Sequence, residues 1–440
     1  MPREIDCLFL GTGTSGALPS VACLTSPDTG CKCCRSTLDK QDPHGQKNVR
    51  RNSSAILRIK DEPAAGAEQT TTTEKTILID CGKTFYSGAV EWWPRKNLRQ
   101  IDALILTHAH ADASLGLDDL RGWTLRGAIQ KSIPIYLTQG TFNEVSKAFP
   151  YLTNAGQVTG GGDVPALTWH IFDENKPFEV AGIDIVPLPV HHGKFFTEPP
   201  TPFYCLGFLF DRQLAYLSDV SFIPPEIYAR IADYVALPAH RGASGRKALT
   251  NGTHGSAPQE EEEEGRGEEK PRLKALVVDC LRVEPFASHF GMGQAVETAR
   301  KLGADRTYLL GFGHRTSHEL WLALTRALSL PSTSPSLPSL PSHLPISSTT
   351  PVPRPPQDRN YLLYSGHPSP TEEDEDEFVL HARWSTECWL AAARAAETTT
   401  EEERRVLEEE AVWIRPAVDG MTVHFGASRE TGDDEYGLEG

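Results

Sequence analysis

No stretch of the 440-residue chain is apolar for long enough to cross a bilayer, so a membrane-spanning helix is not expected. The opening "MPREIDCLFLGTG" lacks the basic start and following apolar run of a secretory signal, and the expected location is cytoplasmic, with the nucleus left open. A Lys/Arg-rich arm is missing too, which argues against a nucleic-acid grip. The formal net charge of −16 comes largely from the runs "QEEEEEGRGEE", "TEEDEDE" and "TTTEEERRVLEEE", and it says little about any active face. The hydrophobic fraction is low, 39%, beside 33 prolines and 36 glycines; part of the chain is expected to lie outside the packed core.

What is present begins with short β-rich runs. "IDCLFLGTGT", "SSAILRI", "KTILIDCG", "IDALILTHAH", "IPIYLT", "IDIVPLPVHHG", "YCLGFLF", "QLAYLSDV", "YVALPAH", "ALVVDCL" and "RTYLLGFGH" each hold several apolar or β-branched residues and then break at Gly, His or Asp. "TFNEVSKAF" and "MGQAVETARKLG" carry helical spacing, so the class is α/β. Residues 1–326 read as one catalytic domain with a disordered insertion at about 242–272. Residues 327–410 read as a Pro/Ser-rich and acidic insertion, partly disordered; 411–426 bring a late strand pair back to the core, and 427–440 form a tail.

Several strands end in a residue able to bind metal. Asp80 closes "TILID", His108 and His110 close "ALILTHAH", His191 and His192 close "IVPLPVHH", Asp219 closes "AYLSD", and His314 closes "YLLGFGH". A lone histidine is most often structural. Five such endings in succession point to a metal site at converging strand ends.

The order Asp, H-x-H-x-D, His, Asp, His resembles the metallo-β-lactamase superfamily. "FLGTGTSGALPSVACL", "RRNSSAILRI", "GLDDLRG" and "RPAVDGM" are similar to its branch of phosphoribosyl cyclic phosphate phosphodiesterases and their relatives, the tRNA 3′-end nucleases. The resemblance implies an αββα four-layer sandwich with a dinuclear centre of zinc, or of manganese. It implies His108, His110 and His192 on the first metal, Asp219 between both, and Asp112 with His314 on the second. Either His191 or His192 could supply the ligand, and the resemblance favours His192. Asp80 and Asp112 would join the catalytic set, with His289 in "ASHFG" as general acid or phosphate contact. The superfamily pattern continues with a further histidine where this chain has Ala113, so the second site is expected to be weakened.

Nine cysteines, an odd number, favour free thiols or metal ligands over disulfides. Cys23, Cys31, Cys33 and Cys34 crowd one short loop. The branch resemblance implies a structural zinc on three cysteines and a later histidine, here Cys23, Cys31, Cys34 and His318, with Cys33 spare. Arg51 and Asn52 in "RRNSS" are candidate substrate contacts, an exposed structural pair being an even alternative. Asp118, Asp119 and Arg121 read as helix-start residues rather than catalysts.

The functional expectation is a metal-dependent phosphodiesterase that uses metal-activated hydroxide on a small cyclic or nucleotide-like phosphate ester. A tRNA-processing-type nuclease and a non-catalytic, metal-stabilised scaffold are the alternatives.

Overall fold

The computed structural model describes residues 3–27, 31–60, 74–157, 163–236, 272–330, 372–396, 398–409, 412–426 and 430–436. The insertion expected at 242–272 and the Pro/Ser-rich run fall almost wholly outside these residues.

Six strands come first: β1 Glu4–Gly11, β2 Ser54–Lys60, β3 Glu74–Ile79, β4 Ala103–Ile105, β5 Ile133–Leu137 and β6 Leu167–Ile171. They are followed by β7 Phe178–Val180, β8 Ile183–Phe195, β9 Thr201–Phe210, β10 Leu214–Leu217, β11 Ala275–Asp279 and β12 Arg306–Leu310. The last three are β13 Ile414–Pro416, β14 Thr422–Phe425 and β15 Gly432–Asp433. One sheet runs β15-β14-β1-β2-β3-β4-β5-β6 and the other β13-β12-β11-β10-β9-β8-β7. Each sheet has an antiparallel half of hairpins and a parallel half, β3 to β6 in the first and β10 to β13 in the second.

Alternation of side chains along the strands sets the layers. Ile5, Phe9, Leu57, Ile79 and Ile105 of the first sheet meet Ile185, Phe208, Tyr216, Val277 and Tyr308 of the second in one buried cluster. The opposite face of the first sheet, with Leu8, Ile56, Leu78 and Leu104, packs on Phe85, Trp93 and Trp123. The outer face of the second, with Leu188, Leu209, Leu217 and Val278, packs on Ile227, Val296, Trp321 and Leu324. Helices thus cover both outer faces, giving the four layers αββα.

Three segments differ from expectation. "YVALPAH" does not start as a strand: Tyr234–Ala236 end the helix Pro225–Ala236, whose Ile227 and Ile231 face the core. Residues 372–409 are not an unpacked insertion. They form helices Glu372–Ala395 and Glu401–Glu409, and Phe378, Ala382 and Leu390 join the outer core of the second sheet. The first of these helices begins within an acidic run, which composition alone reads as solvated chain. Within 427–440, β15 extends the first sheet, and buried Asp433 accepts hydrogen bonds from Arg306 and Tyr308. The expected late strand pair exists but is divided, β13 in one sheet and β14 in the other. Among the described residues no helix is long and apolar enough to cross a membrane.

Candidate metal centre

The parallel strands of both sheets run toward one edge, and the loops leaving them carry the chemistry. Asp80 follows β3 with φ 59°, a left-handed backbone that turns its side chain back under the β4 loop. Its carboxylate accepts from Thr107 N and Thr107 Oγ1, both at 2.8 Å. Thr107 Oγ1 in turn lies 2.8 Å from His108 Nδ1. Thr107 O accepts from Leu206 N of β9, tying this loop across to the second sheet. His192 is held alike, its Nδ1–H donating to Ser288 O at 2.8 Å. Both rings are thereby fixed through one nitrogen.

Donor atoms of His108, His110 and His192 all lie within 4.8 Å of one another. His110, more exposed than the other two, stacks on Phe203 at 4.5 Å and 5°. Asp219, at the loop after β10, belongs to a second group of the same tightness with His192 and His289. His108 Nε2 is buried with no hydrogen-bond partner among the described residues. A buried imidazole nitrogen without a partner, beside two more imidazoles and a carboxylate, fits a first-row divalent ion such as zinc.

The electrostatics agree with that donor set. Burial pushes His108 down to about 3 and, helped by His192, lowers His110, so both rings are neutral donors at neutral pH. Burial raises Asp219, but His108, His192 and His289 outweigh it and hold the carboxyl below its ordinary value. Asp112, raised by burial and by Asp219 to about 6, faces the same centre. Burial opposes charge on His289, yet Asp279 beside it lifts the imidazole to about 9.

His289 Nδ1 sits 2.8 Å from Asp279 Oδ2, and the same oxygen accepts from Val220 N. Asp279, the fully buried last residue of β11, was missed in the sequence although "VVD" ends as "LID" and "LSD" do. Thr107, Ser288 and Phe203 were missed as well, since nothing in their spacing marks them. His191 turns away from the cluster, its ring 5.2 Å from Tyr204 and 5.1 Å from Phe222.

Two histidines do not take the places expected of them. His314 is not in the histidine cluster: its Nδ1 lies 3.3 Å from Cys23 Sγ, and it forms a compact group with Cys23, Cys31 and Cys34. His318 is absent from that group. Its backbone N donates to Asn48 Oδ1 as the helix His318–Leu328 begins, and its ring Nε2 lies 3.4 Å from Tyr436 Oη. The cause is Arg50, a fully buried guanidinium that donates to Gly313 O and Thr316 O and lies over the Phe312 ring. These bonds fold "FGHRTSH" so that His314 meets the cysteine loop.

In that loop Cys31 Sγ approaches His314 O at 3.0 Å, and Ser20 N donates to Cys34 Sγ. Hydrogen bonds from Cys33 and Cys34 lower the Cys31 thiol, while the bond to Cys31 and burial raise Cys34. Three sulfurs and one imidazole fit a closed zinc site. Cys33 turns toward Thr316 O and is not in the group.

Arg51 and Asn52 are occupied elsewhere. The Arg51 guanidinium bonds to Glu91, Asp419 and Ser87. Asn52 accepts from Thr84 and donates to Thr14 O and Ser15 O. Both lock loops together rather than facing open space for a substrate. Asp118 pairs with Arg121 three residues on, as a local surface contact.

Comparison with known proteins decides the family. The model for the β-lactamase superfamily domain matches residues 75–312, more than half of the chain. The chain belongs to this superfamily. The matched segment holds every residue of the histidine cluster and ends just before His314. Octanoyltransferase from Porphyromonas gingivalis is 29% identical over 222 residues, which is 50% of this chain and 36% of that protein. The chain thus spans about a third of that relative. Among solved structures, a diphosphatase of the PhnP family is 25% identical, with a TM-score of 0.48 over 72% of this chain and 90% of that one. Human tRNase Z, short form, is 16% identical with a TM-score of 0.36, over 70% and 92%.

Proposed function

We propose that this protein is a metal-dependent hydrolase, a phosphodiesterase acting on a small cyclic or nucleotide-like phosphate ester. The observation that carries the reading is the cluster of His108, His110 and His192, two of them tethered at Nδ1, closed on one side by Asp219. A divalent ion held there, zinc or manganese, supplies a water acidic enough to act as nucleophile near pH ~7 and positive charge for phosphoryl oxygens.

The chain's own residues do the rest. Asp80, through Thr107, keeps His108 in one tautomer and one orientation. Asp112 and Asp219 accept a proton or hold the attacking water from the carboxylate side. His289, oriented by Asp279, stands ready to give a proton to the leaving oxygen. For a second ion the site offers Asp112 and Asp219 with the His289 imidazole but none from Ala113 or His314, so the second position is weaker than the first. Cys23, Cys31, Cys34 and His314 take a separate structural zinc. No disulfide joins any of the nine cysteines, which suits a reducing compartment, cytoplasm or nucleus.

The test is turnover of bis(p-nitrophenyl) phosphate by the full chain, with metal analysis of the same sample. Turnover that His110→Ala abolishes, together with loss of about one bound metal ion, is expected. No turnover, with metal only at the cysteine group, would replace the enzyme with a metal-stabilised scaffold. Turnover confined to RNA would favour the nuclease.

A further inference from the structure

Of the three imidazoles in the histidine cluster, His110 has no hydrogen bond to hold its ring. Thr107 Oγ1 fixes His108 at Nδ1, and Ser288 O fixes His192 at Nδ1. His110 is anchored through its backbone instead: its carbonyl accepts from Ala113 N and Ser114 N, each at 3.0 Å, where the short helix Ala111–Ser114 begins. Neither ring nitrogen of His110 has a hydrogen-bond partner among the described residues. The residue is exposed, and a ring on a fixed backbone still turns about its side-chain bonds. Ordering such a ring when an ion binds costs rotamer freedom and weakens the site.

What orders the His110 ring comes from the other sheet. The Phe203 ring of β9 lies face to face on it, with centroids 4.5 Å apart and planes 5° from parallel. Phe203 also stands edge-on to His108 at 6.2 Å and to His192 at 6.0 Å, so it borders all three rings. Phe195 of β8 meets Phe203 in turn, at 5.3 Å and 75°. That last contact depends on a bulge. The register passes from His191↔Tyr204 to Lys194↔Pro202, one residue more on β8 than on β9, and Gly193 sits in the slip with φ 77°. Unbroken alternation would send His192 and Phe195 to opposite faces, since an odd number of steps separates them. With the bulge, both meet Phe203.

We propose that Phe203 is a positioning residue for the metal centre: by stacking on His110 it presets that ring for coordination, as the Nδ1 hydrogen bonds preset His108 and His192. An imidazole that gives a lone pair to a cation becomes electron-poor, and the electron-rich face of a phenyl ring favours such a neighbour. The stack thus strengthens as the ligand binds, and it does so without a polar partner at an exposed position where water would compete for one. The proposal rests on the histidine cluster holding metal and is independent of which ester is cleaved.

Two substitutions in the full chain separate stacking from mere bulk: Phe203→Tyr keeps the flat ring, and Phe203→Leu keeps an apolar side chain without it. Zinc affinity at the histidine site, read by competition with a fluorescent chelator, is expected to fall by about tenfold in Phe203→Leu and to stay within about twofold of wild type in Phe203→Tyr. Zinc retained at the cysteine group in each variant reports an intact fold. Proton NMR supplies an arm that needs no metal. The His110 ring protons, assigned by their loss in His110→Asn, should lie upfield in wild type and Phe203→Tyr and return to ordinary positions in Phe203→Leu. Equal zinc affinity in wild type and Phe203→Leu, or an equal loss in both variants, overturns the positioning role and leaves the metal centre standing. Unshifted His110 protons in wild type overturn the stack itself. A wild-type chain that takes zinc only at the cysteine group removes the metal centre and the positioning role with it, a failure seen before any variant is compared.

Discussion

His289 Nδ1 and Asp279 Oδ2 meet at 2.8 Å beneath the metal cluster, and Asp279 has no exposed surface. A carboxylate this deep fixes both the ring and the nitrogen that faces outward. The proposed role of His289 is to act on substrate, and it also lies near Asp219, at 3.9 Å. Replacing His289 by Asn is expected to lower kcat by roughly a hundredfold or more, as for loss of a general acid. Metal content of the variant, measured on the same preparation, should stay at the wild-type level; a fall by one ion would make His289 a ligand instead.

Thr107 offers a second way to separate holding from reacting. Its hydroxyl joins Asp80 to His108 and is buried. Thr107→Val keeps the shape of the side chain and removes the relay. The expected result is a loss of metal affinity of about 10–100-fold at the histidine site. Competition with a fluorescent chelator reads this; affinity equal to wild type would show that His108 needs no tether.

Arg51 tests whether an arginine of the "RRNSS" segment grips substrate. Its guanidinium is the partner of buried Asp419, whose carboxyl burial raises to about 6. Arg51→Ala would strand that carboxylate and is expected to destabilise the fold by about 3 kcal/mol, in the range for breaking a buried pair. Urea denaturation measures the loss. KM for the protein fraction that stays folded should change by less than about twofold, whereas loss of a phosphate contact would raise it far more.

Asp6 carries an acid limit on stability. Hydrogen bonds and charge from His424 and Lys60 overcome the effect of burial and lower its carboxyl from 3.8 to about 2. Because the folded value is depressed, the stabilisation is full above about pH 4 and is lost as pH falls toward 2. A shift of that size corresponds to about 2 kcal/mol. In unfolding curves at pH 7, Asp6→Asn should be weaker than wild type by about this amount, and the difference should shrink steadily between pH 4 and 2. A difference that stays constant across that range would assign the stabilisation to packing.

The strand-end ligands were legible because the physics that makes them is local. A β-rich run that breaks at His or Asp announces both the strand and the residue beyond it, and His108, His110, His192 and Asp219 come together accordingly. Spacing could not say which histidine of "GHRTSH" meets the cysteines. That choice depends on where buried Arg50 anchors two carbonyls, a contact between distant parts of the chain. The Arg51 and Asn52 partners are equally non-local, coming from Asp419, Glu91 and Thr84. The helix Glu372–Ala395 was obscured by its own acidic beginning, which composition alone reads as solvated chain.

The split between β13 and β14 has a consequence for how the protein is made. β1 is flanked on one side by β2, which follows soon after it, and on the other by β14, which leaves the ribosome only after every other strand of that sheet except β15. Until then β1 shows an open edge able to pair with other nascent chains, and the inter-sheet core lacks Val423 and Phe425. Closure of both sheets thus waits for β13 and β14, and the nascent chain keeps an unpaired edge until they have been made.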